Sequence, residues 1–252
     1  DIPTTVTFIG DNAFWGCGSL LEMKIPQKVT SIQDYTFFEC SSLQKVFIPF
    51  RIKSIGAFAF WGCSSLKQLL VPSSLVSVGN YAFAGCTSIL EMNFPLSVKN
   101  IGSSVFERCS SLSKIIIQPT ISQIGESIFS SCSSLKHIKI PSSVVEIDEA
   151  AFWGCTALND VEIPSSVKSI GNNAFWGCSA LVEISIPSSV NSIGEYAFFG
   201  CVSLTRVLNH GFLKSIGKYA FSECFNLKEI DIPDSIIEIG ENAFQENCTL
   251  RK

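Results

Sequence analysis

The chain has 252 residues, 46% of them apolar and 16% charged, with a formal net charge of −4. That balance excludes a nucleic-acid binder built on clustered Lys and Arg. No run of about 18 apolar residues is present, so nothing in this segment is expected to insert into a membrane.

A phenylalanine returns every 23 residues, at Phe14, Phe37, Phe60, Phe83, Phe106, Phe129, Phe152, Phe175, Phe198, Phe221 and Phe244. Eleven units of 23 account for the chain to within one residue. A fixed period in this range marks stacked repeats, in which each unit buries its apolar face only against its neighbours.

One repeat predicts its elements in order. Leu181–Pro187 alternates apolar and polar residues, as a half-buried strand does. Pro187 ends the strand because it cannot donate to a ladder. A second alternation, Val190–Gly194, predicts a second short strand or extended segment. Gly194 then allows a turn that a Cβ would obstruct. Ala197–Cys201 places Phe and Cys three apart, the spacing of one helical face, and predicts a single 3₁₀ or α turn. The Leu, Ile, Val, Ala, Phe and Cys columns are expected to point inward. Each large side chain buried there is worth roughly 1.5–3 kcal/mol.

The segments Ile186–Gly194 (IPSSVNSIG) and Ala197–Cys201 (AFFGC) resemble the BspA-type (Treponema pallidum-type) leucine-rich repeat, and the likeness runs over the whole chain. The resemblance implies a leucine-rich-repeat solenoid, right-handed and mainly β, of eleven coils. Short parallel strands lie on its concave side and short turns elsewhere. It also implies a surface or secreted protein that adheres to proteins of a host or a neighbouring cell. It brings no catalytic motif and no cofactor. The expected domain is one solenoid over 1–252. It starts inside a strand pattern and shows no cap at either end, as a piece of a longer chain would. Bare ends also leave room for end-to-end self-association.

Cysteine follows the repeat Phe by three residues from Cys17 to Cys224; in the last unit Asn247 holds the column and Cys248 stands one place late. Stacked Cβ atoms point in parallel, and no C-x-x-C pair exists, so buried free thiols are expected in place of disulfides or zinc. Asn247 can replace the thiol as a backbone partner. Asn247-Cys248-Thr249 is a glycosylation sequon, disfavoured because Asn247 is on an inward column.

Binding must use columns that packing leaves free. The column just after the repeat Phe gives secondary aromatic candidates, Trp15, Phe38, Trp61, Trp153, Trp176 and Phe199. They can serve as a binding surface or simply stack on one another. On the strands, one outward column is polar throughout. The next places Phe47, Leu70 and Ile116 outward, with Phe50 and Leu96 beside them after a Pro. These five are the protein-binding candidates. At Leu208–Phe212 the Ile-Pro of the repeat becomes Asn209-His210, so Asn209 must find backbone partners or loosen the strand. His137 and His210 are far apart in the repeat, His210 shows no neighbouring nucleophile, and no phosphate loop, nucleophile elbow or zinc motif occurs. The sequence therefore reads as a non-catalytic protein-binding module, with an internal scaffold or spacer as the alternative.

Overall fold

The computed structural model describes residues 2–250. The chain forms a parallel-strand β-solenoid of leucine-rich repeats whose contacts gather into two compact units, 1–121 and 122–252.

In the first unit, Glu22–Lys24 pairs in parallel with Lys45–Phe47, and Glu91–Asn93 with Lys114–Ile116. A second ladder joins Ser31–Ile32, Ser54–Ile55, Ser77–Val78 and Asn100–Ile101. In the second unit, His137–Lys139 pairs with Asp160–Glu162, and Glu183–Ile186 with Arg206–Asn209 and then Glu229–Ile230. Its second ladder runs through six strands from Gln123–Ile124 to Glu238–Ile239. Each partner lies 23 residues along, so every letter of the repeat meets its own kind. Alternation along the first strands buries the central residue and exposes its neighbours, as in Lys45–Phe47.

The turn count differs from the eleven expected. Nine repeats carry a strand on the first ladder among the described residues. The coil of Leu66 contributes only an isolated bridge, Lys45 to Gln68, and the coil of Phe14 has no described strand.

No helix forms at the Phe turn. Bonds of 3₁₀ type are present, such as Trp15 N–H to Asn12 O at 3.0 Å and Cys17 N–H to Phe14 O at 3.1 Å. Continuation is blocked because the residues two before and two after each Phe are left-handed, for example Tyr196 (φ 54°) and Gly200 (φ 67°). Such a conformation costs a non-Gly residue on the order of 1–2 kcal/mol. It persists where the surroundings enforce it. Here the N–H groups of Tyr196, Phe198 and Gly200 all donate to the following coil, at 2.8, 2.7 and 3.0 Å. The glycine before the turn has a steric reason. A Cβ on Gly79 would stand 2.5 Å from the Ala57 nitrogen of the preceding coil.

The Phe column is the core. Phe37 through Phe221 are buried, and within each unit they stack, Phe37 to Phe106 in the first and Phe129 to Phe221 in the second, with centroids 5.1 Å apart for Phe175 and Phe198. The thiols run beside them. Cys63 Sγ donates to Phe37 O at 3.1 Å, and Cys178 Sγ to Phe152 O at 3.2 Å, the same step of 26 residues each time. Each such carbonyl thus accepts its own coil's Cys N–H and the next coil's thiol. Asn247 Nδ2 takes the equivalent acceptor, Phe221 O, at 2.8 Å, so the amide that glycosylation would modify is engaged. Burial pushes the Cys40 thiol up to about 11 and those of Cys109, Cys155 and Cys224 to about 12. Only Cys17 and Cys248 are exposed. A thiol-reactive dye at pH 8 is expected to label these two in the native protein and all eleven after denaturation.

Candidate functional site

The five apolar strand-face candidates all fall in the first unit, and all are exposed; Leu70 is 75% and Phe50 67% accessible. The alternation that buries Val46 and Leu69 turns Phe47 and Leu70 outward. These two share one groove of about 490 Å³, lined by Glu22, Gln44, Lys45, Val46, Phe47, Ile48, Lys67, Gln68 and Leu70. Phe50, Leu96 and Ile116 are not part of that lining. Phe50 instead lies under the Arg51 guanidinium, 5.6 Å from its centroid.

The groove sits where the first ladder is interrupted. On this ladder the Lys45–Gln68 bridge is the sole pairing of that coil among the described residues, and no strand continues over Leu69–Val71. Lys45 Nζ lies 4.4 Å from the Phe47 ring centroid, a cation–π contact at the rim.

The aromatic candidates pack on one another. In the first unit Trp15, Phe38 and Trp61 follow at 4.3 and 4.6 Å. A second row beside them, Tyr35, Phe58 and Tyr81, stacks at 4.9 and 4.7 Å. In the second unit Trp176 meets Phe199 at 4.8 Å and Tyr196 at 5.4 Å, and Trp153 is exposed. Such ring contacts add stability beyond burial, while Trp15 and Trp153 keep large exposed surfaces. The Tyr and Phe row stands on the left-handed position before the turn. The sequence reading missed it, although an aromatic two residues before the repeat Phe at positions 35, 58, 81, 196 and 219 was the available signal.

Charge divides the strand faces. In the second unit His137 Nδ1 meets Asp160 at 2.7 Å, Lys139 meets Glu162 at 3.6 Å, and Arg206 meets Glu229 at 3.0 Å. In the first unit Lys24, Lys45 and Lys67 are not ion-paired among the described residues.

Asn209 finds partners, as one of its two alternatives required. Its Nδ2 donates to Asp231 O at 3.3 Å and its Oδ1 accepts from Gly211 N–H at 3.3 Å. His210 is a correction: Ser185 Oγ stands 3.0 Å from its Nε2, so a hydroxyl neighbour does exist. Both groups are on the open sheet, and no third side chain orients the imidazole among the described residues. A nucleophile–base pair needs that orientation and a site for the developing oxyanion. Among the described residues no group of three or more His, Cys, Asp or Glu is arranged to hold a metal ion, and no helix is long and apolar enough to cross a membrane.

Comparison with known proteins agrees with this geometry. The profile of the BspA type leucine rich repeat region matches residues 1–109, 53–182 and 145–252. A leucine-rich repeat protein from Bacteroides ovatus is 32% identical, with a TM-score of 0.84 over 96% of this chain and 68% of its own. One from Eubacterium ventriosum is 21% identical, with a TM-score of 0.56 over 89% of this chain and 82% of its own, and shares the fold. A leucine rich repeat protein from T. pallidum is 28% identical over 68% of this chain and 69% of its own, with a TM-score of 0.49. Among proteins with curated descriptions, none matches the chain significantly. With its 23-residue coils, stacked Phe column and thiol ladder, the chain belongs to the BspA-type leucine-rich-repeat family.

Proposed function

We propose that the chain is a non-catalytic protein-binding module of a cell-surface or secreted protein, of adhesion type, and that it binds through the groove beside Phe47 and Leu70. The observation that carries this reading is that two large apolar side chains, Phe47 and Leu70, are exposed to solvent around a groove of about 490 Å³. Apolar anchors in a shaped depression are where binding energy concentrates. The family resemblance supports the surface role.

A pull-down from host-cell or neighbouring-cell surface extracts tests the proposal, with Phe47→Ser/Leu70→Ser as the control. The wild type should retain a partner that the variant loses, at an unchanged circular dichroism melt. Equal retention by both, or retention by neither, would contradict the assignment.

A further inference from the structure

We propose that this groove receives an extended acidic peptide, with carboxylates flanking one large apolar side chain. The inference rests on the protein-binding reading and narrows its partner. Three features of the groove and its unit converge on it.

The first is unneutralised charge. Lys45 and Lys67 line the groove, and neither has an ion pair among the described residues; Glu22 is the one carboxylate in the lining. On the column of Lys45 the second unit neutralises its cation, Arg206 with Glu229; on the column of Lys67, Lys136 and Lys228 have no ion pair among the described residues. Residues 1–121 hold nine Lys and Arg against seven Asp and Glu, whereas 122–252 hold nine against fifteen. The cationic excess is thus local to the unit that carries the groove. Charges at an interface rim choose the sign of the partner and speed its encounter.

The second is size and lining. A space of about 490 Å³ walled by Val46, Phe47, Ile48 and Leu70 is suited to one bulky apolar side chain with its backbone. The third is the interrupted ladder. The parallel pairing stops at the Lys45–Gln68 bridge, which leaves an opening along the strand direction. An extended segment there points alternate side chains to opposite faces. An apolar residue directed into the groove therefore shares its face with the residues two before and two after it, and acidic side chains at those places meet the lysine rim.

Fluorescence anisotropy of the full chain with a labelled decapeptide centred on Glu-Ser-Phe-Ser-Glu tests this, beside a Lys-Ser-Phe-Ser-Lys companion. The acidic peptide should bind, weaken at high salt, and weaken about tenfold or more in Lys45→Glu/Lys67→Glu. The basic peptide should prefer that variant to the wild type. Phe47→Ser/Leu70→Ser should bind neither. Equal binding of both peptides, or no effect of charge reversal, overturns the proposal. If neither peptide binds while the pull-down still depends on Phe47 and Leu70, the acidic-peptide inference falls and the protein-binding reading stands. If that dependence is also absent, both fall. A dimer of the wild type that Lys45→Glu/Lys67→Glu dissociates would make a second copy the occupant and overturn the peptide.

Discussion

Raising the pH from 7 to 10 is expected to unfold the protein. The cause is the thiol ladder. Burial raises the thiols of Cys40, Cys63, Cys86, Cys109, Cys155, Cys178, Cys201 and Cys224, which reach about 11 at Cys40 and about 12 at Cys109 from an ordinary 9.0. Between 9 and 11 the unfolded chain loses thiol protons that the folded chain retains. The folded state binds more protons, so stability is complete below pH 9 and falls as pH rises through that window. At pH 10 each thiol of ordinary pKa favours the unfolded state by about 1.4 kcal/mol. Eight such groups remove on the order of 10 kcal/mol, comparable to the whole stability of a domain. Far-ultraviolet circular dichroism should be lost in the same transition in which thiolate absorbance appears. A native spectrum at pH 10 with thiolate absorbance well beyond that of the exposed Cys17 and Cys248 would contradict the ladder.

The second large effect is expected at Phe175. Its ring is fully buried between Phe152 at 5.2 Å and Phe198 at 5.1 Å. Phe175→Ala removes both stacking partners' contacts and leaves a cavity that the stacked backbone is poorly able to fill. The expected loss is about 3–5 kcal/mol, a large share of domain stability. Because each coil touches only its neighbours, hydrogen-exchange protection should fall most in the coils of Phe152 and Phe198. The same change at half-buried Phe14 should cost less, since it has one stacking partner, Phe37. A loss under about 1 kcal/mol at Phe175, well below the range for a buried Phe, would mean that the column is not the core.

The period made the fold legible. Once Phe recurs at 23, the pairing of Met23 with Val46 or of Ile170 with Ile193 follows from the same count. The outward direction of Phe47 and Leu70 follows from alternation alone. What stayed hidden depends on neighbours in space. The left-handed residue before each Phe is Asn, Tyr, Phe, Ser or Ala, with no shared chemistry to mark it. Its conformation is imposed by bonds to the next coil. The acceptor of a buried thiol such as Cys63 or Cys178 lies 26 residues back, off the repeat period, so no column announces it. Gln68-Leu69-Leu70 alternates like its neighbours, yet it forms a single bridge, and the groove opens at that place. The Ser185–His210 contact joins different columns of two adjacent coils and could be found only once the register was known.

The repeat divides into residues that hold the stack and residues that packing leaves exposed. Urea unfolding of Phe47→Ser/Leu70→Ser tests that division most directly. Exposed positions away from packing change stability by about 0.5 kcal/mol or less each. The variant should therefore unfold within about 1 kcal/mol of the wild type. A loss of several kcal/mol, as at Phe175, would place Phe47 and Leu70 in the core and remove the binding groove from the molecule.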